Sequence, residues 1–179
     1  MKDMKRFIVL TLCAAFVGSV IWSMQLASAA DKKKKKDPAA ERTRKTVRML
    51  DDVYKTAVVL ITTHYVNDED DLPAGTAAIA LFEAVGKKGS HQVRLIDASG
   101  EPLEDKNVAK DDFEKMAVKQ LKAGETWYDE IVTDGKKRTL RAATPIPVVL
   151  KKCTMCHENY KDFKGSEPIG ILSYTIAIE

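Results

Sequence analysis

Two thiols three positions apart, followed at once by an imidazole, constrain this chain more than any other stretch: Cys153-Thr154-Met155-Cys156-His157. The spacing is that of a c-type haem attachment site. Thiols so placed add across the two vinyl groups of the porphyrin, and the next residue brings a ring nitrogen to one face of the iron. Two other chemistries use paired cysteines. A dithiol redox pair sits inside a thioredoxin-like βαβ pattern, and a structural zinc needs a second pair of ligands. No cysteine lies past position 13 besides Cys153 and Cys156, so a four-thiolate site is excluded. A mixed zinc site would have to recruit His64 or His91. Covalent haem uses all three residues of the motif. A chain that carries it must fold a pocket around it and settle what stands opposite His157.

The N-terminus supplies an independent check. Lys2, Lys5 and Arg6 form a basic start, Phe7 to Val20 is apolar, and Ala27-Ser28-Ala29 fits a small-residue cleavage site. Residues 1–30 therefore read as a signal peptide. Cleavage after Ala29 or Ala30 would leave about 150 residues, enough for one core. The competing reading is an uncleaved anchor, because Phe7 to Leu26 is nearly long enough to span a bilayer. Cys13 has Leu12 before it, where a lipoprotein box needs a small residue. Haem is attached on the outer side of the bacterial inner membrane, so export and the motif agree. The expected location is the periplasm.

Charge excludes one class of partner. The chain has 29 basic and 26 acidic residues. Residues 1–30 remove Lys2, Lys5, Arg6 and Asp3, which leaves 26 basic against 25 acidic. Five of those positives are the run Lys32 to Lys36, so the remainder is mildly acidic. A nucleic-acid binder spreads basic charge over a folded face, and none is expected here. Residues 31–37 read as a solvated lysine-rich linker.

A single haem-binding domain is expected over residues 38–179. Asp37-Pro38 is a helix start, with Asp as cap and Pro at the first helical position. From Ala39 to about Val66 there is neither Gly nor Pro. Val47, Leu50, Tyr54, Ala57 and Ile61 alternate steps of three and four, the stripe of a long amphipathic helix. His64 is the next member of that series. The same stripe would serve a coiled coil, so a homodimer through this helix is a second use of it. A helix over about Thr76 to Val85 follows. Residues 91–98 alternate as a strand, with Val93 and Leu95 on one face and Arg94 and Ile96 on the other. Asp111 or Asp112 caps a helix carrying Phe113, Met116, Ala117 and Leu121, closed by Gly124. Residues 125–133 and 136–144 read as a hairpin around Asp134-Gly135, with Pro145 and Pro147 ending the second strand. A helical turn from Val148 delivers the haem motif, residues 158–168 are polar loop, and residues 170–178 alternate as a last strand. The fold class is α+β.

With haem present, His157 is the proximal ligand. The bases left for the other face are His64, His91, Met49 and Met116. Met155 lies inside the attachment loop and cannot reach that face. Met116 has core spacing, Met49 is offset from the helix stripe, and His91 opens a strand beside a Gly-rich turn. His64 is the preferred distal ligand and His91 the fallback.

The order of a long helix, a mixed α/β body, Thr144-Pro145-Ile146, Cys153-x-x-Cys156-His157 and a closing Gly170-Ile171-Leu172 strand resembles the haem-c-binding PAS-like domains of bacteria. The resemblance covers about residues 40–179, and its one highly specific motif is the haem site. Such domains occur as periplasmic inputs of sensor kinases and as stand-alone exported proteins. The resemblance implies an antiparallel sheet of about five strands holding one covalent haem c at its edge. It also implies a distal ligand from the N-terminal helix, a cysteine in a described member. No cysteine stands in that helix here, and His64 is the position that fits. The expected function is a periplasmic monohaem cytochrome that passes single electrons to an unidentified redox partner protein. The alternative is a redox or diatomic-gas (NO, CO, O2) sensor acting through a partner. No enzyme is expected, because no His/Arg pair is placed for peroxidase chemistry. A PAS-like module with haem as a core staple is the remaining reading. The membrane is expected to matter only through an uncleaved anchor.

Overall fold

The computed structural model describes residues 37–67, 72–156, 158 and 167–179. The predicted signal peptide, the lysines of the predicted linker, His157 and most of the polar loop lie outside the described residues.

Helix α1, Pro38–His64, starts where the sequence says it should. The Asp37 carboxylate accepts a hydrogen bond of 3.2 Å from the Ala40 amide, satisfying one of the orphan donors of the first turn. Arg138 of the sheet pairs with the same carboxylate. The Arg138 hydrogen bond, with the Ala40 amide behind it, holds Asp37 below the usual carboxylate range. Along α1, Val47 and Tyr54 are buried with Leu50 and Val58 packed beside them. Helix α2, Ala74–Gly86, lays Ala78 and Phe82 into the same cluster. Tyr54 and Phe82 meet edge to face with ring centres 5.2 Å apart.

Four strands are found among the described residues, rather than about five: β1 (Gln92–Asp97), β2 (Tyr128–Asp134), β3 (Lys137–Pro147) and β4 (Pro168–Ala177). They form one antiparallel sheet in the order β1-β4-β3-β2. The last strand therefore sits between the first and the third. Period-two alternation sends Val93, Leu95, Leu140, Ala142, Leu172 and Tyr174 to one face, under α1 and α2. Ile96, Ala143 and Ile171 point to the other face, where helix α3, Asp112–Lys122, covers them with Phe113, Ala117 and Leu121. Asp111 caps α3 by accepting a 2.9 Å bond from the Glu114 amide. The architecture is helices on both faces of one antiparallel sheet, an α+β arrangement consistent with a PAS-like fold.

The β2–β3 connection is tight. Asp134 pairs with Lys137, leaving Gly135 and Lys136 as the loop. Gly135 has φ +56°, and among the described residues only glycines have a positive φ. Glycine first in a two-residue loop is the type II′ pattern, whose twist matches the strands. Pro145 and Pro147 do not end β3, contrary to expectation, since both still pair with β4. The reason is local: β2 stops pairing at Ala143. Beyond that point β3 has one neighbour, and a missing N–H on its open side leaves no broken ladder bond.

Candidate haem site

The attachment motif begins in a single helical turn, α4, Cys153–Cys156. Its start is fixed by backbone bonds of 3.0 Å from the Cys153 amide to the Leu150 carbonyl and 3.1 Å from the Thr154 amide to the Lys151 carbonyl. Residues three apart on a helix stand on one face, about 5–6 Å apart at Cβ. That is the spacing of the two cysteines of the motif, and covalent attachment through two vinyl groups needs both on one side of the turn. Cys153 carries a free thiol and is half-buried.

The residue before Cys153 ties this turn to α1. Lys152 Nζ donates to the carbonyl oxygens of Thr62 at 3.4 Å, Thr63 at 3.2 Å and Val66 at 2.5 Å. These are carbonyls at and just past the C-terminus of α1, which have no partner inside the helix. They flank His64 in sequence. The contact brings the attachment turn and the end of α1 together across some 90 residues of chain.

His64 is the last residue of α1 and is exposed. It does not continue the buried stripe, as its spacing suggested. The helix turns 100° per residue, and by its final turn the inward position has passed to Thr62, 7 % exposed. Thr62 Oγ1 folds back to the Val58 carbonyl at 2.8 Å, so a threonine fills the place without an orphaned hydroxyl. Large apolar side chains also stand exposed in the segments that meet here: Leu60 and Tyr65 at the end of α1, and Val149 ahead of α4. Exposed apolar groups on these segments, a paired-cysteine turn and an exposed histidine at a helix end suit a covalent haem in both donor chemistry and polarity. Cys153 and Cys156 would hold the macrocycle and His157 its iron, with His64 the base from α1.

The other bases are arranged differently. His91 has both ring nitrogens engaged, Nε2 with the Tyr54 hydroxyl at 2.7 Å and Nδ1 with Ser90 Oγ at 2.9 Å. Burial pushes its pKa below the ordinary histidine value, consistent with a neutral ring that accepts from one partner and donates to the other. Met116 is 40 % exposed on α3 rather than in the core. Helix α3 buries Phe113, Glu114, Ala117 and Leu121, a face that leaves Met116 outside. It also lies across the sheet from α1. Met49 is exposed on the outer side of α1. Trp127 packs on the α1 side of the sheet under the guanidinium of Arg48, 4.5 Å from its ring centre. Its neighbour Tyr128 packs on Phe113 on the opposite side.

Sequence reasoning missed Lys152. A Lys-Lys pair before the motif reads as solvated charge, and nothing in its spacing points to helix carbonyls so far upstream.

The family model Tll0287-like matches residues 30–167, well over half of the chain. A comparison with curated proteins finds no match.

Proposed function

Because the chain belongs to the Tll0287-like family, whose members are cytochrome c domains of PAS-like fold, we propose that it is an exported monohaem c-type cytochrome that carries single electrons between partner proteins. Cys153 and Cys156 bind the haem covalently, His157 is the proximal ligand and His64 the distal one. The observation that supports this set is the Lys152 contact, which joins the turn bearing the thiols to the carbonyls on either side of His64. When bound, the haem supplies a one-electron ferric/ferrous couple. Cys153 and Cys156 would hold it by two thioethers, and the exposed Leu60 and Tyr65 of the α1 end would give it apolar cover. Two imidazoles give a lower potential than an imidazole and a thioether.

A second reading, redox or diatomic-gas sensing through a partner, draws on the place of His64. A ligand on the exposed last turn of a helix can leave the iron without disturbing the core. Electronic and EPR spectra of the purified wild type and His64→Ala decide between them. The carrier reading expects a low-spin wild type that turns high-spin in the variant. A high-spin wild type, or rapid CO binding by its ferrous form, moves the assignment to sensing. A low-spin spectrum unchanged in His64→Ala removes His64 as the ligand.

A further inference from the structure

Lys152 is not a residue that haem attachment requires, yet its ammonium meets three backbone carbonyls of another element. An ammonium has three donors and no acceptor, so three carbonyls satisfy it completely. The contact also places a cation at the negative end of the α1 dipole. Two of those carbonyls, Thr62 and Thr63, immediately precede His64, and the third, Val66, follows it by two residues. The Tyr65 amide closes onto the Ile61 carbonyl at 2.9 Å, and the Tyr65 side chain is 76 % exposed. Val66, 6 % exposed, is an apolar anchor beyond it.

We propose that Lys152 is the positioning residue for the distal ligand: it locks the last turn of α1 to the attachment turn and so fixes the distance between His64 and the iron that His157 holds. One covalent neighbour, Cys153, fixes Lys152 relative to the haem, and the three hydrogen bonds fix α1 relative to Lys152. The distal imidazole is thereby referenced to the turn that carries the attachment cysteines. This rests on the assignment of His64 given above.

The test is the electronic spectrum and ferrous CO association rate of the holoprotein in Lys152→Met, Lys152→Arg and Lys151→Met, beside His64→Ala and wild type. Lys152→Met keeps the stem and removes the donors. It is expected to show a high-spin fraction absent from wild type, and CO association faster on the order of tenfold, the population change that loss of a charged hydrogen-bonded tie gives. Lys152→Arg, which retains donors and charge, restores the low-spin spectrum. Lys151→Met, one residue away and exposed, leaves both readouts at wild-type values. A lower melting temperature in Lys152→Met with unchanged spectrum and CO rate makes Lys152 a helix cap only and overturns the inference. If Lys152→Met yields no folded holoprotein, Lys152→Gln carries the same comparison, with an intermediate CO rate expected. An unchanged His64→Ala spectrum defeats the ligand assignment and this inference with it. A changed His64→Ala beside an unchanged Lys152→Met defeats the inference alone.

Discussion

The Tyr54 hydroxyl lies 2.7 Å from Nε2 of His91, and this pair separates the two histidines that the sequence offered as distal ligands. His91 is committed to α1 and to Ser90, whereas His64 has an exposed ring at a helix end. His91→Asn is therefore expected to leave the haem spectrum unchanged. Its effect falls on stability. Burial lowers the His91 pKa in the fold, so the unfolded chain takes up the proton first as pH falls. Stability is then full above the ordinary histidine value near 6.5 and is lost as pH drops through and below it. Thermal unfolding of wild type and His91→Asn from neutral to mildly acidic pH should show a steeper decline in wild type. Equal slopes would place the titration elsewhere.

Most elements were legible because their signals are local. Asp37-Pro38 and Asp111 are capping residues where caps were needed, and Val93/Leu95 against Arg94/Ile96 is a two-residue period that burial on both faces makes unambiguous. The cysteine pair stands out in the sequence because the CxxCH spacing is a compact local motif. What was not legible depends on packing between distant segments. Extrapolating the α1 stripe to His64 failed because a helical stripe drifts, and Thr62 takes the inward place in the last turn. Met116 has the spacing of a core residue, but α3 buries the face that carries Glu114, and a glutamate does not advertise itself as core. Pro145 and Pro147 are breakers in an interior strand, and only the early end of β2 makes room for them.

Glu114 is 2 % exposed and takes both oxygens to Arg94 at 2.5 Å, with the Lys110 amide at 2.7 Å and Arg141 at 3.8 Å. It pins α3 to β1 and β3. Removing one partner of a buried ion pair leaves the other uncompensated, at about 3–5 kcal/mol. Arg94 is 31 % exposed and can rehydrate, so Glu114→Ala is expected to cost about 3 kcal/mol in denaturant unfolding. The haem spectrum should not move, because α3 lies across the sheet from α1. A loss below about 1 kcal/mol, the worth of an exposed pair, would show that the cluster is rehydrated.

Tyr174 is fully buried on the α1 side of the sheet, and its hydroxyl donates to Asp51 Oδ1 at 2.9 Å. Asp51 also receives Thr144 Oγ1, and Lys55 Nζ at 2.8 Å on its other oxygen. Burial, reinforced by the Asp51 carboxylate, drives the Tyr174 phenol far above its ordinary range. The unfolded phenol ionises near pH 10 while the folded one keeps its proton, so stability is present below pH 10 and is lost as pH rises above it. Tyr174→Phe should cost about 1 kcal/mol at neutral pH through the lost hydrogen bond. It should also flatten the alkaline decline relative to wild type. Parallel curves above pH 10 would mean that Tyr174 does not titrate on unfolding.

Cys153 and Cys156 bound a single helical turn, so each can be removed without displacing the other. With two thioethers, a protein matured in a host that attaches haem c should retain its haem on a denaturing gel. Cys153→Ser should retain it through Cys156 alone, with a pyridine haemochrome band moved to longer wavelength because one vinyl group stays conjugated. The double variant Cys153→Ser/Cys156→Ser should lose all covalent haem. Its fold should weaken too, because the exposed Leu60, Tyr65 and Val149 would have no haem to cover them. A zinc site at the same thiols predicts the opposite metal analysis: stoichiometric zinc, no haem stain, and loss of zinc in either single variant.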